Sequence, residues 1–315
     1  MRTILATLLL AALAAAQPID SSPGMDAPRL GYIFDANGKS IRLLTGVPGA
    51  ATLDQIVPFT ESIDSAFVFS AGNLAIARSK DGNTLALRWN DAPSAVHLDG
   101  SPPDLLGAAF SPSGEFVVLY GQSGAVQLWS SLAGTPAMRR QWTLDPAQGM
   151  PVAVAVNDDA AVVAATDARN LLLLSDQTRV LAAGLFSGLA FRPGAGDLIA
   201  SDAERARVLD IQNWSDDVNI TEIAGATDAL SPGILAIGAD RNTLAVANTG
   251  AGEIDLINLA SGAMQRIACG CRPQRFEALQ GATFHILDST QDSDLLLDGQ
   301  NARISRLYGS AGVQQ

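Results

Sequence analysis

The chain has few of the side chains from which catalytic and metal sites are usually built. Its 315 residues include two histidines, two cysteines and two lysines, Lys39 and Lys80. The two histidines, His97 and His285, lie in segments that read as strands and have no acidic neighbour at hydrogen-bonding spacing in the sequence. No Gly-x-Ser-x-Gly motif is present. We therefore expect no nucleophilic triad and assign no catalytic residue.

Charge is also scarce and mainly negative. Charged residues make up 17% of the chain, and 32 acidic against 20 basic residues give a formal net charge of −12. Such a surface repels phosphate backbones and anionic lipids, so nucleic acid is excluded as an expected partner. Hydrophobic residues reach 48% and aromatic residues only 5%. The chain can thus bury a large core, built mainly from Ala, Val, Leu and Ile.

The first residues read as an export signal. Arg2 precedes an apolar run from Ile4 to Leu13, and the small residues Ala14 to Ala16 follow it. We predict a signal peptide over residues 1–16, which places the mature protein in the periplasm or outside the cell. A membrane anchor is the alternative, but the run is short for a bilayer, and no later segment is long enough to insert. The alanine-rich, lysine-poor composition favours a bacterial source.

The most informative feature is a repeat of roughly 40 residues without helical periodicity. Its clearest copy runs from Ala109 to Ser130, as strand, Ser-Pro-Ser-Gly turn, strand, short turn and strand. Further copies start near Phe69, Val156, Phe191, Ile237 and Leu279. This pattern predicts an all-β protein, a single β-propeller over residues 31–308. A flexible leader over 17–30 precedes it, a C-terminal tail over 309–315 follows it, and we expect a monomer.

The number of blades depends on how the first hairpin is counted. Six fuller units follow one another from Ile63 to Tyr308, and Leu30–Thr45 reads as two strands joined at Ala36-Asn37-Gly38. We prefer seven blades, one of them incomplete, with this hairpin looking like the outer two strands of a blade. Six blades plus an N-terminal hairpin is the alternative. In either case we expect the hairpin to close the ring near the last blade, because an open ring would expose sheet edges.

Two stretches carry a family resemblance. Ala109–Gly114 followed by Val126–Trp129 resembles a WD40-type repeat, although the Gly-His and Trp-Asp dipeptides of regular WD40 blades are absent. The segment Asn248–Gly250 with Glu253–Gly262 is similar to the YVTN repeat of secreted bacterial propellers. The resemblance implies a propeller fold over nearly all of the mature chain. It implies no particular function, since these motif residues build turns and blade cores.

The only cysteines, Cys269 and Cys271, flank Gly270 between the fifth and sixth full units. In an exported protein, two cysteines this close indicate a local disulfide, which the glycine makes geometrically feasible. Free thiols and a redox or soft-metal site are the alternatives, but a metal site needs more ligands than two histidines readily supply. We predict no metal site.

Other polar features are interpreted mainly as turn formers. The acidic run from Asp288 to Asp298 lacks the glycine and terminal glutamate of a calcium loop. Aspartates between propeller strands commonly form Asx turns. Trp214, in a polar loop, is the best candidate for a residue that contacts a partner.

These observations predict an exported propeller that acts as a non-enzymatic binding or interaction scaffold for a protein or glycan partner, without a cofactor. The alternative is a propeller hydrolase or lyase with a central cation held by inward-facing acids. Its candidate ligands are Glu61, Glu115, Glu253 and Glu277.

Overall fold

The computed structural model describes residues 27–90, 92–214, 217–224, 232–248, 250–288 and 294–307. Within these ranges the chain forms seven antiparallel sheets, each built from strands that pair in chain order. The seven sheets are the blades of a β-propeller, so the predicted fold class and blade number are confirmed. The predicted signal peptide and C-terminal tail lie outside the described residues. The first strand begins at Arg29, two residues before the predicted start of the domain.

Blade one has three strands, and the other six have four. Blade one contains β1 (Arg29–Asp35), β2 (Ser40–Thr45) and β3 (Thr52–Ile56), and blade two contains β4 (Ile63–Phe69), β5 (Leu74–Ser79), β6 (Thr84–Arg88) and β7 (Ser94–His97). Blade three contains β8 (Leu105–Phe110), β9 (Phe116–Gly121), β10 (Ala125–Ser130) and β11 (Ala137–Thr143), and blade four contains β12 (Pro151–Val156), β13 (Val162–Thr166), β14 (Asn170–Leu174) and β15 (Arg179–Ala183). Blade five contains β16 (Phe186–Phe191), β17 (Leu198–Asp202), β18 (Arg207–Gln212) and β19 (Asn219–Ala224), and blade six contains β20 (Pro232–Ile237), β21 (Thr243–Asn248), β22 (Glu253–Asn258) and β23 (Met264–Ala268). Blade seven contains β24 (Pro273–Ala278), β25 (Thr283–Asp288), β26 (Leu295–Asp298) and β27 (Arg303–Arg306). Short 3-10 turns occupy Ser70–Gly72 and Pro146–Gln148.

Burial changes from the inner to the outer strand of each full blade. In blade four every residue of β13 is buried, whereas no residue of the outermost strand β15 is. The middle strands lie between the faces of two neighbouring blades, which explains their continuous apolar runs. Alanines such as Ala75, Ala77 and Ala164 are fully buried there. Small side chains allow the sheets to pack closely at native density.

Among the residues that the structure describes, blade one has no innermost strand. The backbone N–H of Tyr32, near the start of β1, donates to Ser70 Oγ just after the end of β4 (2.7 Å). Gln280, just after the end of β24, donates its N–H to the carbonyl of Leu30 (2.8 Å). At the other end of β1, Lys39 Nζ donates to the carbonyl of Asp64 near the start of β4 (3.0 Å). β1 therefore runs antiparallel to the inner strands and occupies a second-strand position.

In the described parts of the chain no sheet combines strands from both chain ends, and side-chain hydrogen bonds join blades seven and two directly. Arg275 of β24 donates from Nη2 to the carbonyl of Ala66 in β4 (2.9 Å). Glu277 of β24 accepts a hydrogen bond from the N–H of Val68 (3.4 Å). The predicted hairpin is part of the separate three-stranded blade one, so the six-blade alternative is wrong. The hairpin helps to close the ring by packing between blades seven and two, and it adds no strand to the last sheet.

Replacing Ser70 with alanine should weaken this closure. The Tyr32 N–H would lose its partner on the inner edge of β1, which costs about 1–3 kcal/mol for a buried donor. Urea unfolding of Ser70→Ala should therefore show that decrease in the free energy of unfolding, with Ser62→Ala at an exposed site as the control. Equal stability of the two variants would contradict the role given to Ser70.

Candidate functional site: the central channel

Six inner strands surround the propeller axis and enclose a cavity of about 620 Å³. These strands are β4, β8, β12, β16, β20 and β24; no residue of β1 lines the cavity. Most of the lining is apolar, with Phe67, Phe69, Phe110, Leu189 and Ile237 among its side chains. The wall of the described channel is therefore formed by six inner strands and is mainly apolar.

The mouth at which the inner strands begin carries exposed aliphatic side chains. Leu106 and Val152 line this mouth and are 44% and 46% exposed, and Leu185, directly before β16, is 38% exposed. The strand register shifts between Leu105 and Gly107 and between Pro151 and Ala153. These bulges leave Leu106 and Val152 out of the pairing register, which turns their side chains away from the blade core. We call Leu106, Val152 and Leu185 the apolar arc.

Tyr120 reaches the channel from the second strand of its blade. It pairs with Gly107 of the inner strand β8, and a Cβ at position 107 would collide with the Tyr120 ring and hydroxyl. Glycine at 107 therefore lets the aromatic side chain pass over the inner strand and line the cavity. Burial raises the pKa of Tyr120, while the positive charge of Arg275 acts in the opposite direction. The phenol is a neutral hydrogen-bond donor at physiological pH.

Of the described residues that line this cavity, Arg275 alone carries a cationic side chain. Its Nη2 lies 2.8 Å from Glu277 Oε1 and also donates to Ala66, as described above. The guanidinium carbon lies 4.5 Å from the centre of the Phe67 ring, a cation–π contact. Its Nε is buried and has no hydrogen-bond partner. The same side chain thus bridges blades seven and two and presents a guanidinium to the channel.

Behind Arg275, a buried chain of alternating charges continues into blade seven. His285 is fully buried; its Nδ1 lies 2.9 Å from Glu277 Oε2, and its Nε2 lies 3.2 Å from Asp294 Oδ1. Burial opposes protonation of His285, but the contacts with Asp294 and Glu277 outweigh it and raise its pKa to about 9. Burial alone would raise the pKa of Glu277, but its contacts with Arg275 and His285 bring that pKa below its usual value. Glu277 and His285 are therefore both charged at neutral pH.

Sequence analysis named Glu277 and His285 separately and missed that they meet. The two residues are directly opposed in the β24–β25 pair. Pairing the two strands about the Gln280–Gly281 turn would have revealed the contact from the sequence. Arg275 was missed, since its role depends on contacts between blades that are distant in sequence. Tyr120 was missed although it lies opposite Gly107 in the β8–β9 pair of one blade.

The other acidic candidates for a central cation lie apart from the channel. Glu61 accepts a hydrogen bond from the Thr60 hydroxyl, Glu115 lies exposed in a turn, and Glu253 pairs with Arg266 at 3.3 Å. Within the described ranges, no group of three or more His, Cys, Asp or Glu side chains could hold a metal ion. Asp298, at the end of the acidic run, accepts hydrogen bonds from the N–H groups of Gln300 and Asn301, as an Asx turn requires. Residues 289–293 of that run lie outside the described residues.

Cys269 and Cys271 are joined by a disulfide across Gly270, with their Cα atoms 5.0 Å apart. Gly270 has a positive φ of 57°, which folds the backbone tightly enough for this short bridge. Cys271 is buried in the core between blades six and seven, against residues such as Ile254 and Phe276. The bridge therefore fixes the loop that precedes β24, the strand that carries Arg275 and Glu277. The oxidation state in solution stays a prediction.

Trp214 is half-buried rather than a free surface anchor. Its ring meets Phe191 edge-on at 5.9 Å, and its Nε1 donates to the carbonyl of Gly196 (2.9 Å). It also lines a second cavity of about 520 Å³, beside Phe116 and Arg139. Its role as a contact residue stays a prediction.

Comparisons with known proteins identify the fold and no closer relationship. No protein-family profile and no curated sequence matches the chain. Among solved structures, streptogramin B lyase aligns with a TM-score of 0.56 and 12% identity, over 84% of this chain and 91% of the other. The nidogen/laminin complex contains a chain that aligns with a TM-score of 0.51 and 13% identity, over 77% and 94%.

Dihydro-heme d1 dehydrogenase NirN in complex with DHE aligns with a TM-score of 0.53 and 18% identity, over 76% of this chain and 54% of that one. This chain therefore spans about half the length of that NirN structure. At these identities the likeness shows a β-propeller fold alone. The similar folds include enzymes and a chain of a protein–protein complex, so they do not decide the function. In the described parts of the chain, no helix has the length and apolarity needed to cross a membrane.

The stability of the protein should fall as the pH rises above neutrality. The folded pKa of His285, about 9, exceeds its ordinary value of 6.5, so the stabilisation from its ion pairs is complete below pH 6.5. It is lost as the pH rises through about 9, and the shift corresponds to about 3 kcal/mol. Urea unfolding at successive pH values should show this decline in the wild type and a flatter profile in His285→Gln. The same substitution at the exposed His97 is the control, and a decline that persists in His285→Gln would contradict the assignment.

Loss of the disulfide should have a small effect on global stability. The bridge closes a loop of three residues, so the Cys269→Ala/Cys271→Ala variant should lose only about 1–2 kcal/mol of unfolding free energy. Intact-mass measurement of the exported wild type, denatured and alkylated without reductant, should show no added label. Labelling of both cysteines would show free thiols instead.

Proposed function

We propose that this chain is an exported, non-enzymatic binding propeller of a secreted bacterial WD40- or YVTN-like type, which docks a protein partner on the apolar arc. The observation that carries the proposal is the position of Leu106, Val152 and Leu185 at the start of three consecutive inner strands. Each side chain is more than a third exposed although it could have been buried in a blade. Clustered exposed aliphatic groups on a soluble protein are typical of interaction sites.

The chemistry of the channel supports binding over catalysis. The two charged side chains that line the described channel, Arg275 and Glu277, are engaged in closing the ring. Glu61, Glu115 and Glu253 do not converge with them, so nothing in the described channel favours the alternative of a hydrolase or lyase with a central cation. Export is supported by the signal-like residues 1–16 and by the disulfide, which an oxidising compartment preserves.

A protein partner fits the arc better than a glycan. Aliphatic side chains offer no hydrogen-bond donors or acceptors to sugar hydroxyls, whereas they match the apolar centre of a protein interface. Trp89 and Trp129 are buried within the blades, and Trp214 lies against Phe191, so these tryptophans are not at the mouth. The polar rim that surrounds an interface centre is available in Ser187 and Gln274, which line the same cavity.

The experiment compares the mature wild type, immobilised, with Leu106→Asp/Val152→Asp. Carboxylates in the centre of a docked interface would be desolvated without partners, so affinity for the partner should fall at least about 10-fold. A partner recovered from an envelope extract of the source cells would be identified by mass spectrometry, purified, and titrated against each variant. Val47→Asp/Met138→Asp is the matched control, because both side chains are exposed elsewhere. Equal binding by the two variants, or no partner for the wild type, would contradict the proposal.

A further inference from the structure

The channel presents hydrogen-bond donors that the protein itself leaves partly unused. Arg275 keeps 27% of its side chain exposed, and it lines the cavity, so its accessible edge faces the channel. The polar contacts described above all involve its Nη2, and its Nε is buried without a partner. A buried donor without an acceptor is destabilising. Tyr120 brings a second donor, its hydroxyl, to the same cavity.

The charges around Arg275 favour an anion at this place. Glu277 is shared between Arg275 and His285, so one carboxylate faces two cations. Asp294, which balances the second cation, lies on the far side of His285 and is partly exposed. A negative group in the channel would therefore meet the guanidinium of Arg275. The carboxylate next to that guanidinium, Glu277, is shared with His285. Guanidinium groups bind carboxylates through short, charge-assisted hydrogen bonds.

The rest of the cavity fits an apolar body. Phe67, Phe69, Phe110 and Leu189 line it, and its volume of about 620 Å³ lies within the range of about 300–1,000 Å³ found for small-molecule sites. An inner strand of six residues is about 20 Å long, so the channel can take an extended chain along the axis. An apolar wall with one cationic group favours a ligand that carries one anionic group on an apolar body.

We propose that the central channel binds a small amphipathic carboxylate, with the carboxylate on Arg275 and Tyr120 and the hydrocarbon body along the aromatic wall. Its polar contacts, Arg275 and Tyr120, do not belong to the apolar arc, although Leu106 and Val152 line the same cavity. Binding of the carboxylate does not depend on docking of the protein partner. The shared feature of the ligands is one carboxylate on an unbranched or aromatic hydrocarbon body.

The test uses three probes with the same hydrocarbon chain, titrated calorimetrically into the mature protein below their micelle concentrations. Dodecanoate should bind saturably, dodecan-1-ol more weakly and dodecyltrimethylammonium least. Arg275→Gln should weaken dodecanoate binding about 10- to 100-fold, as expected for loss of a charge-assisted hydrogen bond, and should affect dodecan-1-ol little. Tyr120→Phe, which removes only a hydroxyl, should weaken dodecanoate about 2- to 10-fold.

Two matched controls separate the site from general charge and ring effects. Arg303→Gln removes an exposed cation of blade seven, and Tyr32→Phe removes a hydroxyl in blade one; both should bind dodecanoate like the wild type. Thermal melting checks that each variant is folded. If Arg275→Gln is not folded, the affinity of Tyr120→Phe for dodecanoate decides the test. Equal affinity for all three probes, unchanged affinity in the variants, or no saturable binding would overturn the carboxylate site. None of these results bears on the apolar arc, whose variants are tested against the protein partner.

Discussion

The ends of the described ring are joined by a bridge from Arg275 to the carbonyl of Ala66, beside the apolar packing of blade one against blades two and seven. These residues are 209 positions apart and join the inner strands of blades seven and two, where blade one contributes no strand. The guanidinium of Arg275 requires a counter-charge, which Glu277 supplies. His285 and Asp294 continue this series of alternating positive and negative side chains. Removing one member of such a buried group leaves another unpaired, at a cost of about 3–5 kcal/mol. Charged side chains therefore take part in the closure together with the apolar contacts of blade one.

The same closure determines what the channel can hold. With six inner strands around the axis, the cavity is lined mainly by Phe, Leu, Ile, Val and Ala. Its cation is already fixed in position by the Ala66 and Glu277 contacts, so a ligand would not have to immobilise a flexible arginine. Gly107 has a comparable effect on Tyr120, because the absence of a side chain gives the ring its path into the cavity. Both donors are thus held by the fold before any ligand arrives.

The fold was predictable because its signals are local. The turn at Ser111–Gly114 and apolar runs such as Val162–Ala165 repeat along the chain, and each blade forms from consecutive strands. The hairpin at Leu30–Thr45 was recognisable as part of a blade, but it forms the second and third strands, and β3 is the outermost strand. The site was not predictable in the same way. Arg275 is an ordinary charged residue in sequence, and only the ring geometry brings it to Ala66 and Phe67. The Glu277–His285 contact was accessible through hairpin register, which the sequence analysis did not apply.

The protonation states explain why this channel suits recognition better than proton transfer. A general base or acid works best when its pKa lies near the working pH. Here the two carboxylates hold His285 protonated up to about pH 9, and the two cations hold Glu277 ionised. Neither group changes its charge readily at neutral pH, and both are committed to structural contacts. A fixed array of charges beside an apolar wall can still select a ligand by its polarity. Closing the described ring has thus placed a charged group, already fixed by its structural contacts, in the wall of the channel.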